Sequence, residues 1–533
     1  MMNKLRPRNF VVIGIRRIQE AASRVVPAGW EAVIGLEVHA QINSKSKLFS
    51  GADNEYTLPV NTAVCAFDAG VPGTLPVLNK RCVEGGIMTC LALHCAVNLV
   101  SKFDRKHYFY ADLPTGYQIT QQRRPLGVGG YADVYVYDTA DRYMDTYRKR
   151  IRIKQVQLEQ DSAKTVNDTV NDRTLVNLNR AGAGLMEIVT EADMSSSLEA
   201  ASFVAHLQRL LISSGTCQGQ MDKGHLRVDA NVSVNRPGQC IGVRTEIKNL
   251  NSIKFVTRAI EFEIYRQIKL LEDGCTIINE TLGFDYRTGR TLKMRDKEVR
   301  QDYRYMPEPN LPPLRLRDSN EPNGSSASNG LMDVHKIRCS MPALPVEREE
   351  LLIERLSVPV WNAQFILNDA DLSDYFFSCL PLVTEPMVPL LVHMFIFVLR
   401  RQLEAEKLPV HDRVVSVDRF VEVVKLLFDG KITTVVAELV VGECVAGEAQ
   451  PLSEIIERQN LWRLPDDHPV IRQVCVEIAE RNAKLMRSVR KGKEKQLSRL
   501  VRRALFSERL NHRTEERIVA QIFTDLAEAK SFE

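Results

Sequence analysis

Four short stretches in the first half of the chain alternate between apolar and polar residues with a period of two. Successive side chains of a β-strand point to opposite sides, so such a stretch buries one face and leaves the other open. In Gly35–Ile42 the apolar face is Leu36, Val38, Ala40 and Ile42, and the polar face is Glu37, His39 and Gln41. In Gln155–Asp161, Val156 and Leu158 oppose Gln157, Glu159 and Asp161. In Arg227–Ser233, Val228, Ala230 and Val232 oppose Arg227, Asp229, Asn231 and Ser233, and in Thr245–Leu250 Glu246 and Lys248 share a face. From Trp30 to about Leu314 the chain is glycine-punctuated, with few long helical stretches. The fold class expected is α+β, with a large N-terminal domain on a mainly antiparallel sheet.

One strand with a polar face is what any half-solvated antiparallel sheet gives. Solvation explains four less well, because surface strands usually carry Thr, Lys, Arg and Ser rather than Glu, His, Asp and Asn. If the four are neighbours, Glu37, His39, Glu159, Asp161, Asp229 and Glu246 form one acidic patch. Carboxylates and an imidazole suit a divalent cation, and oxygen-rich sites suit Mg²⁺ shared with substrate phosphates. Lys248 and Arg227 could then balance phosphate charge.

At 533 residues the chain is too long for one ordinary core, and two or three domains are expected. A formal charge of +4 permits a nucleic-acid partner without demanding one. The eleven cysteines are scattered, with no CxxC pair, which suggests neither a zinc ribbon nor a disulfide framework but free thiols in a reducing compartment. The most apolar run, Val388–Leu399, is about 12 residues long and contains His393; it is expected to be a buried core helix, with no membrane insertion. Residues 1–29 carry Lys4, Arg6, Arg8, Arg16, Arg17 and Arg24 against one acid, Glu20, with apolar residues interleaved. That is the character of a mitochondrial transit peptide, although a frayed basic extension has the same composition.

Composition divides the rest into an N-terminal domain over 30–317, a turn-rich linker or insertion over 318–330, a helical domain over 331–408 and a small helical tail domain over 409–533. One helix is expected where Ile253, Val256, Ile260, Ile264, Ile268 and Leu271 recur, with Asn251 or Ser252 as its cap and Gly274 as its stop. The segment Phe103–Tyr110 mixes bases and aromatics, and Arg105, Lys106 and Tyr108 suit stacking on RNA bases with phosphate neutralisation, although such runs are often core. Between Lys484 and Arg509 ten basic residues face only Glu494 and Glu508. Such clustering, Arg499 and Arg502 included, fits phosphate-backbone binding or a solvated basic face. There is no GxxxxGK[ST] loop, so nucleotide use is not of the P-loop type. No amidase-like Cys/His or Ser/Lys set is evident either, so any ammonia must be made elsewhere.

Taken in order, several blocks resemble the GatB members of the GatCAB tRNA-dependent amidotransferases. Among them are Gly35-Leu-Glu-Val-His39, Pro72-Gly-Thr-Leu-Pro-Val-Leu-Asn79, Phe103-Asp-Arg-Lys-His-Tyr-Phe-Tyr110, Leu158-Glu-Gln-Asp161, Leu178-Asn-Arg-Ala-Gly182, Leu226-Arg-Val-Asp-Ala-Asn-Val-Ser233 and Glu246-Ile-Lys-Asn-Leu-Asn-Ser252. The likeness covers about residues 30–315; beyond, it is looser, in the way of the family's helical and YqeY-like tail domains. The resemblance implies a cradle domain that binds misacylated tRNA, uses ATP and Mg²⁺ to phosphorylate the esterified glutamate side chain, and receives ammonia from a GatA-like glutaminase subunit, with a GatC-like small subunit completing the heterotrimer. A non-catalytic tRNA-binding scaffold subunit of the same complex is the alternative. On the matching positions it makes Glu37, His39, Glu159 and Glu246 candidates for catalysis and metal binding, and Lys248 a catalytic candidate. Asp161, Asp229, Asn231 and Asn249 are its nucleotide-binding candidates. Bacterial members often carry two cysteine pairs that bind zinc; here only Cys65 remains and zinc is not expected. Glu159-Gln160-Asp161 stands where many members have two adjacent glutamates before the aspartate.

Overall fold

The computed structural model describes residues 26–55, 58–138, 145–294, 303–320 and 330–529. Most of the basic leader (1–25) and most of the turn-rich insertion (321–329) lie outside the described residues. The chain forms two compact units, 1–347 and 348–533.

The first unit is built on a nine-stranded sheet. Its strands, in chain order, are β1 (Glu31–Gln41), β2 (Ala96–Val97), β5 (Gly127–Val136), β6 (Tyr147–Gln160), β9 (Gly184–Thr190), β10 (Leu226–Asn235), β11 (Thr245–Leu250), β12 (Thr281–Asp285) and β13 (Arg290–Lys293). They lie in the order β13-β12-β11-β10-β1-β9-β6-β5-β2, antiparallel throughout except for the parallel pair β11–β12. A smaller sheet joins β3 (Val100–His107), β4 (Tyr117–Arg124), β14 (Met306–Pro307), β15 (Leu314–Arg317) and β16 (Met332–Asp333), while β7 (Lys164–Asp168) and β8 (Arg173–Asn177) form a separate hairpin.

The alternation decides which side of the large sheet is closed. Leu36, Val38, Ala40, Val156, Leu158, Val228, Ala230, Val232 and Ile247 are all sealed into one core. Residues of three helices join the same core: α1 (Lys80–Ala92), α2 (Ser197–Ser213) and α3 (Ile253–Glu272). In β6 the buried parity changes from Ile151 and Ile153 to Val156 and Leu158. A bulge between Ile153 and Gln155 allows it, since one extra residue reverses which side each later side chain faces. The α3 helix starts where the sequence places it: the Ser252 hydroxyl accepts a hydrogen bond from Phe255 N at 3.1 Å, and Gly274 ends the helix at φ +76°.

The second unit is helical across its described residues and holds two apolar clusters. The first runs from Leu352 to Leu461 and the second from Leu464 to Ala527. The domain limits read from composition therefore need revision. Val334 and Ile337 pack into the core of the first unit, so residues just after 331 belong with the sheet. The residues on either side of 408 share one core, because Phe420, Val424, Val436 and Val440 pack with Phe376, Phe395 and Leu399. The change of core falls near residue 462.

The run around Val388–Leu399 is longer as a helix than as an apolar stretch. Glu385–Ala405 is helical over 21 residues and contains an 18-residue stretch with a mean hydropathy of 1.3, which by length and composition would suffice to cross a membrane. Its apolar side chains, among them Leu391, Phe395, Val398, Leu399 and Leu403, instead form the middle of the first cluster.

Candidate functional site

The sheet order brings the four polar-faced strands within one run, β11-β10-β1-β9-β6. Residues directly opposite each other in an antiparallel pair share a face. Glu37 lies opposite Asp229 and His39 opposite Arg227 across β1 and β10, and Asn231 lies opposite Glu246 across β10 and β11. On the other side of β1, His39 lies opposite Glu187 of β9, which in turn lies opposite Gln157 of β6. The open face of the sheet thus carries a row of acids on both sides of a central imidazole. A polar pocket with about 450 Å³ open to the centres of water-sized molecules lies over it.

One end of the row is a compact donor set. His39 Nε2 is 3.3 Å from Glu159 Oε1. Ligand atoms of His39, Glu159 and Glu187 all lie within 4.8 Å of one another, a spacing that fits one cation. Neighbours fix their orientation: Thr120 of β4 donates to Glu159 Oε2 at 3.3 Å, and Gln157 Nε2 donates both to Thr120 Oγ1 at 3.1 Å and to Glu187.

The other end is held by polar contacts across the strands. Asn231 Nδ2 donates to Glu37 Oε1 at 3.0 Å. Glu246 takes Thr281 Oγ1 at 3.1 Å and lies 3.4 Å from Lys248 Nζ. Asn249 sits at φ +60°, a left-handed conformation that asparagine tolerates, and its backbone N–H reaches Asp229 Oδ1 at 2.8 Å. Asp161, at the end of β6, lies 2.9 Å from Arg227 Nη2 and 3.5 Å from Arg180 Nε, holding two guanidinium groups at the pocket rim.

Negative charge crowded into low dielectric disfavours ionisation. Burial raises the carboxyl of Glu37, and Glu187 and Glu246 raise it further, while His39 and Asn231 oppose them. Glu159 is raised by burial against the pull of Lys106. Glu187 is pushed up to about 7 by burial and then by Glu159. Lys106 is held charged the other way: burial opposes its charge, but Glu159 and Glu187 outweigh burial and raise it. Its ammonium stands 4.7 Å from the ring centre of Tyr303. Carboxyls raised together around an imidazole are relieved by a bound cation, so the residues present fit a divalent ion.

Of the residues singled out in the sequence, Glu37, His39, Glu159, Asp161, Asp229, Lys248 and Asn249 line the pocket, as do Lys106 and Tyr108. Asn231 and Glu246 adjoin it through Glu37. Arg105 is not brought to it. Its guanidinium is bound in a fork by the buried carboxylate of Glu308, at 2.6 and 3.0 Å, and lies over Tyr117. Arg499 and Arg502 belong to the second unit, where both are exposed. The sequence reading missed Glu187, Arg180 and Lys164, which also line the pocket. The polar Glu187 in the otherwise apolar run Leu185–Val189 was the one available signal.

Beside the pocket lies a larger groove of about 1130 Å³. The two share Lys164, Arg180, Arg227 and Asn249, and the groove adds Lys45 and Lys223. Its cations and amides suit a phosphate-bearing chain that ends in the pocket.

Comparison with known proteins identifies the family. Residues 32–320 match the family model described as the GatB/GatE catalytic domain, and residues 375–505 match the one described as the GatB domain. The chain is 42% identical over 475 residues to the B subunit of the mitochondrial glutamyl-tRNA(Gln) amidotransferase of Homo sapiens, covering 89% of this chain and 84% of that protein. It is 42% identical over 495 residues to the protein of the same name in Aedes aegypti, covering 92% and 93%. It is also 39% identical over 466 residues to the B subunit of the aspartyl/glutamyl-tRNA(Asn/Gln) amidotransferase of Rickettsia typhi, covering 87% and 91%. The chain belongs to the GatB/GatE family, among the B subunits of the tRNA-dependent amidotransferases.

Proposed function

We propose that this chain is the mitochondrial subunit that activates the side-chain carboxylate of glutamate carried on tRNA(Gln), within a complex whose other subunits supply ammonia. The names of its relatives support the amidotransferase role, the substrate and the compartment. The same names describe one member of a multi-subunit enzyme, which supports partners, a glutaminase and a small third subunit. The observation that carries the chemistry is the row of acids brought onto one sheet face by strands far apart in sequence.

A carboxylate is a poor electrophile, and ATP use, which the family implies, supplies a leaving group by phosphorylating it. Mg²⁺, held by His39, Glu159 and Glu187 with Glu37 beside them, would neutralise phosphate charge when bound. Lys106, Lys248 and Arg227 put fixed positive charge around the same pocket, suited to phosphate oxygens. Asn231 and Thr120 keep the carboxylates aimed, and the low exposure of Glu159 keeps competing water off that side. Ammonia then displaces phosphate to leave the amide.

In the assembled complex, Glu37→Gln should retain tRNA binding and glutaminase activity but fail to form Gln-tRNA. Turnover equal to wild type would remove Glu37 from the chemistry. A tRNA-holding scaffold would need basic and aromatic groups alone. The crowding of Glu37, His39, Glu159 and Glu187 favours the catalytic reading, because uncompensated acids repel RNA.

A further inference from the structure

The core side of the large sheet holds a second polar cluster, beneath the Glu246 end of the acid row. Its centre is Glu263 of α3, a wholly buried carboxylate. Oε1 takes Thr245 Oγ1 of β11 at 2.8 Å, Arg266 Nη2 at 2.8 Å and Gln267 Nε2 at 3.0 Å. Oε2 takes Arg266 Nε at 2.9 Å and Thr291 Oγ1 of β13 at 3.0 Å. Gln267 Nε2 also reaches the Val232 carbonyl of β10, at 3.0 Å. One turn of α3 thus ties three strands together through side chains.

These ties fall where the backbone ladder is sparse. The pairing of β11 with β10 is interrupted by a register shift between Val228 and Ala230. On its other side β11 meets β12 at two positions, Glu246 opposite Thr281 and Ile247 opposite Leu282. Side chains alternate along a strand, so Thr245 points to the core and its neighbour Glu246 to the open face. A shift of β11 at Thr245 therefore carries Glu246 with it. The cluster also reaches Glu246 by a second route. Arg266 Nη2 lies 3.0 Å from Glu280 Oε1, the Glu280 carbonyl takes Glu246 N at 3.0 Å, and Thr281 Oγ1 donates to Glu246 Oε2 at 3.1 Å. A buried carboxylate is costly to desolvate, and apolar side chains often close a core as well. What the cluster supplies is one fixed place for β11.

We propose that Glu263 is a positioning residue for amide formation: from the core side it fixes β11, and through Thr245 and Arg266 it holds Glu246 at its place in the acid row. The inference rests on the proposed catalytic role of that row. Glu246 adds to the charge around Glu37, so a displaced β11 disturbs the acids that face the reaction. Lys45, Lys164 and Lys223 of the groove lie on other segments, so tRNA binding should be spared. The expected loss is in turnover.

The test uses the assembled complex with its partner subunits, misacylated tRNA, ATP, Mg²⁺ and glutamine. Thr245→Val keeps the shape and removes the hydroxyl that reaches Glu263. Its kcat for Gln-tRNA formation should fall about tenfold, the size expected when the support of a functional group is lost, with KM for the tRNA within about twofold of wild type. Thr245→Ser restores the hydroxyl and should hold the wild-type kcat, which separates lost contact from lost packing. Glu263→Gln should lower kcat at least as far as Thr245→Val; if it does not assemble, Thr245→Val decides alone. In a Glu246→Gln background Thr245→Val should have no further effect, because it acts through Glu246. Unchanged kcat in Thr245→Val, equal losses in the Val and Ser variants, or a further loss of the same size in the Glu246→Gln background would overturn the inference. Glu246→Gln turning over as fast as wild type would overturn the catalytic reading of Glu246, and this inference with it.

Discussion

Glu187 stands beside Glu159 and His39, and its carboxyl is pushed up to about 7 by burial and then by Glu159. Replacing it with glutamine removes one candidate cation ligand while keeping the shape. Amide formation by the complex should fall about 100-fold, in the range seen when a ligand or its support is lost. Glutaminase activity should not change, and a rate within twofold of wild type would exclude Glu187 from the donor set. Its neighbours on the same face, Leu185 and Val189, are apolar, which is why alternation does not expose it. The acids of β1, β6, β10 and β11 were legible because each sits on a visibly polar face. Arg105 misled for the opposite reason: its partner, Glu308, lies 203 residues away, a distance over which no local pattern reports. A second single residue sets a pH dependence. His206, sealed in α2, is pushed down to about 3 by burial and then by Arg209, from 6.5. The unfolded chain takes up a proton that the folded chain refuses, so stability is present above about 6.5 and is lost as pH falls toward 3. The slope is about 1.4 kcal/mol per pH unit in that window. His206→Gln should remove that contribution, seen as a shallower loss of denaturation midpoint on acidification; parallel curves would refute it.

At the scale of elements, helix caps and basic faces make separable predictions. Ser252→Ala removes the cap of α3 and should cost about 1 kcal/mol by denaturant unfolding, with Ser252→Gly costing less. No change would mean that packing of Val256, Ile260 and Ile264 alone holds the helix. The helices Ala483–Arg490 and Glu494–Leu505 bury Met486, Leu500, Val501 and Ala504, and turn Arg487, Arg490, Lys495, Arg499 and Arg502 outward. Reversing Arg499 and Arg502 to glutamate should weaken tRNA binding and flatten its salt dependence by about one unit of logarithmic slope per lost phosphate contact, leaving ATP binding intact. Equal tRNA affinity across salt concentrations would make this a merely solvated face. Strands and α3 were readable because period two and period 3.6 are local signals. Strand order was not: β1 pairs with β9 and β10, which lie far along the chain with helices and other strands between, and hydrophobicity does not record which strands become neighbours. The core boundary near 462 was equally hidden, because the helices on both sides of it bury apolar residues and differ in which core they fill.

Across the whole molecule, a sheet closed by helices on one face presents acids on the other, and everything proposed about the chemistry depends on that open face holding a metal-bound nucleotide against a carboxylate. Activation and amidation are separable steps, because only the second needs ammonia. The most direct measurement is therefore ADP release by the reconstituted complex with Glu-tRNA(Gln), ATP and Mg²⁺ but no glutamine or ammonium. ADP should form in wild type only when misacylated tRNA and Mg²⁺ are both present, and should be lost in Glu37→Gln and Glu187→Gln while tRNA still binds. ADP release that persists in both variants, or that ignores the esterified glutamate, would contradict the account.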